Sequence, residues 1–309
     1  MVMVTESRAP SNDTPGQTRP RSGKYRLGLP FLVVHLSCVL VVVVGVSTTA
    51  VVVAVVSYAL RMFGITAFFH RCFSHRAFRT GRRTQFVGAF LGAAAAQRGP
   101  LWWAAHHRVH HRRTDRPGDP HSPRIVGLLR SHTGWQFEAA NEGTDLALVA
   151  DLAAFPELRF LDRYPYVAPA SWIAGLLVLG GVLGAFAPSL GTSPAQLAVW
   201  GFSCSTVALW HATFLVNSAA HRFGRQRFAL SDDSRNTWWV AILTFGEGWH
   251  NNHHRFPSGA RQGLARYEID LTWTVLCVMR KLGLVRDVRP TPPAILSAAR
   301  TRAGVHPAR

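Results

Sequence analysis

The sequence predicts an all-α integral membrane protein: four transmembrane helices in two hairpins, with a cytosolic helical cap that holds a histidine-rich site for two metal ions. Three observations carry that prediction. The chain has 309 residues with 34 Lys and Arg against 16 Asp and Glu, yet residues 27–60 and 164–221 contain no charged side chain at all. The pattern HxxHH occurs twice, at His107–His111 and at His250–His254, and a further pair, His70 and His75, precedes both. The two HxxHH copies flank the second uncharged stretch. They can meet only if that stretch crosses a bilayer an even number of times.

The lengths fit. As helix, the two stretches span about 51 and about 87 Å at about 1.5 Å per residue, and a hydrocarbon core is about 30 Å thick. The second has room for two crossings, and the first has room for two if its second helix runs past Arg61. The expected crossings are 27–45, 48–69, 166–186 and 195–220. Basic residues stay on the cytoplasmic side, which puts the N-terminus, the middle of the chain and the C-terminal region together in the cytoplasm. Only the uncharged turns near Gly45–Thr48 and Ala187–Pro194 face outward. A formal charge of +18 taken alone would suit nucleic acid, but the uncharged stretches argue for membrane lipid and against that partner. Four scattered cysteines without a CxxC pair argue against a disulfide framework or a cysteine zinc site.

Residues 1–26, rich in Pro, Ser, Thr, Gly and Arg, read as a disordered basic tail, not a cleaved signal peptide. His35, inside the first crossing, suits packing or hydrogen bonding. Arg76–Arg83 reads as a solvated basic segment. Gln85–Gln97 is apolar but only about two-thirds of a crossing, so it is expected to be buried or interfacial. The break at Gln97-Arg98-Gly99-Pro100 precedes Trp102 and Trp103, which open the helix of the first HxxHH. Residues 136–163 read as amphipathic helix with turns, 264–284 as an amphipathic helix covering the site, and 285–309 as a loose basic tail.

Positions i, i+3 and i+4 share one helical face, so His107, His110 and His111 can converge, as can His250, His253 and His254. A single HxxHH can be a solvated helix face. Two copies plus His70 and His75, whose five-residue gap implies that their helix ends or bends, make that reading hard to hold. Eight imidazoles exceed the needs of one tetrahedral zinc, and His221, at the end of the last crossing, makes a ninth. Two metal ions, best iron, account for them. Asn217 lies four residues before His221 on the same face and is placed to hold a water on the metals. His211 lies on a different face and reads as structural. Asp115 and Asp119, in the polar turn Thr114–Pro123, are expected to accept hydrogen bonds from the ligands. His121 is a weaker ligand candidate. Soluble di-iron carboxylate bundles use paired Glu-x-x-His motifs. Only Glu247 with His250 has that spacing here, and Glu247 reads as support behind a ligand.

The motifs HRCFSH, HRVHH and HNNHH, with DPHSP (Asp119–Pro123), SHTGW (Ser131–Trp135), NSAAH (Asn217–His221) and GEGWHNNHHRFP (Gly246–Pro257), resemble those of membrane fatty-acyl desaturases. The likeness is to the acyl-CoA Δ9, stearoyl-CoA-type branch in its bacterial form, and runs from about His70 to Asp287. The resemblance implies a desaturase domain over 27–284. It implies a di-iron centre on His70, His75, His107, His110, His111, His221, His250, His253 and His254, with Asn217 holding water and O2 as co-substrate. It also implies a bent acyl tunnel, which would fall at Gln97, Trp103, Trp135, Thr213 and Phe214. The implied reaction inserts a cis double bond, at Δ9, into a saturated acyl chain, as acyl-CoA, in unsaturated fatty acid biosynthesis. Two departures matter. Animal members carry Trp where Phe214 stands, which leaves the bond position open. Their Arg and Asp that hold coenzyme A fall at Ala105 and His106, so the carrier or its contacts differ. The segment after 285 is too short for a fused cytochrome b5, so a separate donor is expected, a ferredoxin or flavoprotein reductase. A membrane hydroxylase built on the same site is the nearest alternative. A metal-binding or metal-transporting membrane protein is the alternative of another class, disfavoured because the ligands sit at the cytosolic edge and not at mid-membrane.

Overall fold

Backbone groups withdrawn from water must bond within their own segment, and the uncharged stretches do so as helices. The computed structural model describes residues 28–302; the tail expected at 1–26 lies outside them. The first apolar segment, α1 (Gly28–Val44), is interrupted by a 3-10 turn at Cys38–Leu40. It has 17 residues, about 26 Å at about 1.5 Å per residue, which is short of a full crossing. Among the described residues three helices are long and apolar enough to cross a membrane: Thr48–Ser74 (α2), and, further along, Val167–Phe186 and Pro194–His221.

The turn regions at 45–49 and 190–200 meet. Ser47 Oγ donates to Gln196 Oε1 (2.7 Å), Thr49 Oγ1 to Leu190 O (3.0 Å), and Trp200 Nε1 to Gly45 O (2.9 Å). From that end α1 runs back along the helix Pro194–His221, joined to it by Ser37 Oγ donating to Ser203 Oγ (2.8 Å) and by His35 and His211 (3.1 Å). Arg61 of α2 is fully buried. Its guanidinium donates to Ser57 O, Ala94 O, Gly201 O, Thr206 Oγ1 and Ser205 Oγ, which ties α2 to its neighbours through neutral acceptors.

The second half of α2, Gly64–Ser74, is a π-helix. The sequence led us to expect a helix end or bend between His70 and His75. The helix does end there, at Ser74 with His75 as its C-cap, and it widens before it ends: His75 N donates to His70 O (3.2 Å), an i→i+5 bond, and π turns of this kind concentrate at functional sites. The wider turn brings the two rings together, with their Nε2 atoms 3.1 Å apart.

Helix α3 (Arg82–Ala93) has 12 residues and packs on the π segment. Gly88 and Gly92 permit the approach, since a Cβ on either would lie 2.1 Å from the Phe68 ring or 2.5 Å from the Phe69 ring. Helix α4 (Pro100–Arg113) begins with Pro at its first turn, where the missing N–H costs nothing. Its free Leu101 and Trp102 N–H groups donate to Asp162 Oδ1 (3.0 and 2.8 Å) of α5 (Pro156–Arg163). We call Val167–Phe186 α6 and Pro194–His221 α7. Short helices α8 (Trp238–Leu243) and α9 (His250–Arg255) follow. Helix α10 (Leu271–Lys281) buries Thr272 and Leu276, and Thr272 bonds Thr66 of the π segment (2.7 Å between hydroxyls).

The segment from Val285, expected to be loose, is ordered as far as the structure describes it. Strand β1 (Arg79–Thr80) pairs antiparallel with β2 (Val285–Arg286). In α11 (Pro293–Arg302), Ile295 and Ala299, one turn apart, pack with Phe228 and Leu264. Those two apolar positions supply the burial that composition alone did not suggest.

Candidate metal centre

The nine histidines named from the sequence meet, and they sort into two groups. In the first, ring nitrogens of His70, His75, His107, His111 and His253 all lie within 4.8 Å of one another. In the second, those of His110, His221, His250 and His254 do. Within the first group the Nε2–Nε2 distances are 3.1 Å for His70–His75, 2.8 Å for His75–His107, 3.2 Å for His70–His253 and 3.0 Å for His111–His253. Within the second they are 3.0 Å for His221–His250 and for His250–His254.

The two HxxHH helices do not each serve one point, as their spacing had suggested. Helix α4 gives His107 and His111, positions i and i+4, to the first group and His110 to the second. Helix α9 does the reverse, giving His253 to the first and His250 and His254 to the second. Each helix therefore bridges both groups, which holds them side by side.

The rings are turned by what stands behind them. His110 Nδ1 donates to Asp119 (3.0 Å to each oxygen) and His221 Nδ1 to Asp115 Oδ2 (3.1 Å), as expected for those two carboxylates. His70 Nδ1 pairs with Glu247 Oε2, and His254 Nδ1 lies 3.4 Å from Asp232. A ring that donates through Nδ1 keeps a lone pair on Nε2, so these contacts aim Nε2 inward. Burial first, and repulsion from neighbouring imidazoles second, hold His75, His107, His110, His250, His253 and His254 well below the ordinary histidine value, and push His111 down to about 3. Burial would raise Glu247 and Asp115. His70 and Arg71 outweigh it at Glu247, and His221 and Ser122 do so at Asp115, so both carboxyls sit below their usual range.

Neutral imidazoles beside ionised carboxylates are the donor set a divalent transition metal takes. One atom makes the fit specific. His110 Nε2 is buried without a hydrogen-bond partner, a costly state that a metal ion among His110, His221, His250 and His254 would relieve.

Sequence reasoning missed several supports. Arg71, inside HRCFSH, is 1% exposed and donates to Glu247 Oε1 (3.0 Å) and Asp270 Oδ2 (3.1 Å), so it fixes the carboxylate that fixes His70. A basic residue between two candidate ligands in an apolar run was a signal that acidic partners existed elsewhere. Gln262, whose amide nitrogen lies 3.4 Å from Nδ1 of both His70 and His253, and Asp232 gave no such signal. His121 belongs to neither group. It lies with His110 and Asp119, burial pushes it down to about 4, and its ring is 4.3 Å from that of His110.

A cavity of about 50 Å³ adjoins the centre. Gln97, Trp103, Trp135, Thr213 and Phe214 all line it, as do Asn217 and His121. Trp103 stacks on His107 (5.0 Å between centroids), and Gln97 Nε2 donates to Thr213 Oγ1 (2.7 Å). A second cavity of about 400 Å³ shares Gln97, Trp102, Gln136 and Phe214 with the first. Its walls include α1 and the first turns of α6, where Val33 is 53% and Tyr166 59% exposed. It therefore reaches the surface between those two apolar helices.

Comparison with known proteins supplies the family. The chain is 38% identical over 227 residues to the sn-1 stearoyl-lipid 9-desaturase of Anabaena variabilis, covering 73% of this chain and 78% of that one. It is 38% identical over 231 residues to the chloroplastic palmitoyl-monogalactosyldiacylglycerol delta-7 desaturase of Arabidopsis thaliana, covering 74% of this chain and 58% of that protein's length. An acyl-CoA 5-desaturase of Anemone leveillei is also 38% identical, over 74% of this chain and 68% of its own. The family model for fatty acid desaturases matches residues 47–277, a span that takes in all nine histidines and every residue lining the small cavity. The chain is a member of the fatty acid desaturase family.

Proposed function

We propose that the protein is an O2-dependent di-iron desaturase that puts a cis double bond at Δ9 of a saturated acyl chain. The observation that carries this reading is the adjacency of two imidazole groups, five and four strong, to a cavity lined by all five residues expected in the tunnel. The ligands in this reading are His70, His75, His107, His111 and His253 for one iron and His110, His221, His250 and His254 for the other. Two irons held there, with O2, would supply the oxidant that an unactivated methylene requires. In balance, two carbon-bound hydrogens leave adjacent carbons, a donor protein brings two electrons, two protons enter, and O2 leaves as two waters. This chain's residues do the placing. Asn217, on the cavity wall, holds a water near the metals. Gln97 and Thr213, bonded across the wall, fix its shape, and Trp103, stacked on His107, separates the chain from the ligands. Glu247, Asp115, Asp119 and Asp232 keep Nε2 of their rings turned inward. In this reading the chain crosses the membrane four times within a domain over 27–284, with α1, at 17 residues, at the lower limit of a spanning helix. Both ends and the site are cytoplasmic, and an acidic ferredoxin or a flavoprotein reductase meets the basic face. A hydroxylase on the same centre would give an alcohol in place of the alkene.

The carrier was expected to be coenzyme A. A glycerolipid is the second reading, and specific observations favour it. Ala105 is buried, and His106 faces the small cavity with Nδ1 bonded to Trp102 O (2.9 Å). Neither offers charge to a nucleotide. The larger cavity also reaches the surface between two apolar helices, where a membrane lipid has direct access. Expression in a desaturase-deficient host, with lipid analysis for double-bond position, tests the main reading: an alkene at Δ9 is expected, and an alcohol or no product overturns it. Purified enzyme offered stearoyl-CoA or stearoyl glycerolipid in vesicles then separates the carriers.

A further inference from the structure

Outside the metal centre, a row of three imidazoles runs through the apolar helices, and the reaction above uses none of them. His35 Nδ1 lies 2.7 Å from Phe31 O. His35 Nε2 is 3.1 Å from His211 Nε2, and His211 Nδ1 is 3.0 Å from His132 Nε2. His132 Nδ1 is 2.9 Å from Ser218 Oγ, which is 3.0 Å from Phe214 O. The row begins in α1, crosses α7, touches the short helix Leu128–His132, and returns to α7.

Both ends of the row are carbonyl oxygens, which only accept. The five hydrogen bonds need five protons, while three neutral imidazoles and one hydroxyl bring four. Either one bond goes unmade or one ring carries an extra proton. With the extra proton every ring is engaged at both nitrogens with different residues; with one bond unmade each ring still keeps at least one such contact. Metal binding is a poor account of the row: only His35 and His211 bring Nε2 atoms together, and two nitrogens fall short of the four ligands a closed structural site uses.

What the row does hold is the wall of the larger cavity. Phe31, Phe137, Trp210 and Phe214 line that cavity, and the three histidines do not. Phe31, whose carbonyl ends the row, stacks on Trp210 (5.1 Å) and meets Phe137 edge-on (5.2 Å). Phe214, whose carbonyl ends it on the other side, takes the rings of His132 and His211 edge-on at 5.7 and 6.0 Å. The histidines stand behind the wall, joined to the Phe31 carbonyl directly through His35 and to the Phe214 carbonyl through Ser218 Oγ.

We propose that His35, His211 and His132 are positioning residues that, acting through Phe31 and Phe214, set the width of the acyl cavity and so decide which carbons of the chain come to rest at the metal centre. The inference rests on the desaturase reading and assigns a specificity role within it. Interrupting the row lets both phenylalanines relax, and the chain then settles in neighbouring registers.

The test is His211→Ala in the full-length protein, in the desaturase-deficient host and after purification, with iron content and double-bond position both measured. The expected result is unchanged iron per chain and about a tenfold rise in the ratio of displaced to main double-bond isomers, the discrimination one methylene carries. His35→Leu, at the far end of the row, carries the same expectation should His211→Ala fail to accumulate. In a double-mutant cycle, His211→Ala is expected to add less than its effect alone once Phe214 is replaced by Ala, because part of the effect passes through that ring and the rest through Phe31. An isomer profile identical to wild type, a loss of iron together with activity, or fully additive effects in the cycle would each overturn the inference. A wild-type protein that makes no alkene overturns the desaturase reading itself, a result distinct from an unchanged profile in the variants.

Discussion

The histidine groups and the cavities beside them meet at His107, which lines the small cavity and is stacked on Trp103, yet they are held by different chemistry. Behind the histidines stand ions: Glu247 on His70, Asp119 on His110, Asp115 on His221 and Asp232 on His254, with Arg71 bracing Glu247 against Asp270. Behind the cavity wall stand rings and neutral hydrogen bonds, such as Phe31 on Trp210 and Gln97 on Thr213. A charge-assisted bond in a buried site is roughly twice as strong as a neutral one, and directional. An aromatic pair contributes only about 0.5–1.5 kcal/mol beyond its burial. The centre is therefore built to be right or to fail, and the wall is built so that small changes move it by degrees.

The largest expected effect breaks the centre. His110→Ala removes the ring whose buried Nε2 has no hydrogen-bond partner among the described residues, and leaves Asp119 buried without the ring it holds. We expect iron to fall from two per chain to one or none. Turnover should fall by more than about 100-fold, beyond the loss typical of a supporting partner, while the protein still inserts in membranes. Iron analysis of the purified variant and lipid analysis of its host check this; full activity would remove His110 from the centre. The next effect is smaller and comes from behind the ligand. Asp119 accepts from His110 and from the Asp115 and His121 backbone N–H groups. Asp119→Asn turns an amide toward donors, and should cost about 10–100-fold in iron affinity or rate, read by iron titration in parallel with turnover. A fall in yield without any change in iron affinity would make Asp119 a folding residue only.

That ranking also explains which parts could be read in advance. Six of the nine imidazoles were legible because i, i+3, i+4 spacing leaves a mark in the sequence, His70, His75 and His221 because they stand where an apolar stretch ends, and Asp115 and Asp119 because they closely follow the helix of the first HxxHH. The division of each HxxHH between two groups was not legible, since a shared face says nothing of where a second helix will stand. The π turn between His70 and His75 has no residue signature: Gly64, Phe68 and Phe69 would suit an ordinary apolar helix equally well. Asp232 and Gln262 come to the centre from loops whose course depends on the whole fold, and Asp232 differs in no local way from Asp233. The cavity residues Gln97, Trp135 and Phe214 were named by family resemblance, not by any periodicity. Aromatic residues in an apolar helix are ordinarily packing, and only the cavity beside them suggests another use.

The smallest expected effect tunes the wall. Phe214 lines both cavities and is buried to 4%, with His132 and His211 edge-on behind it. An indole in its place has no room to retreat toward those rings without disturbing their bonds, so it must intrude on the passage where the two cavities meet. A narrower passage rejects the chain register that needed the space and favours another. The expected outcome of Phe214→Trp is a shift in double-bond position or preferred chain length, with about 1–3 kcal/mol of discrimination at stake per methylene and with iron content unchanged. Gas chromatography of the host lipids, with derivatised double bonds, reads the shift directly. An unchanged profile would take Phe214 out of the tunnel and leave the wall to Gln97, Thr213 and Trp135. A shift accompanied by iron loss would mean instead that the wall and the centre are one mechanical unit, and that the contrast between them is drawn in the wrong place.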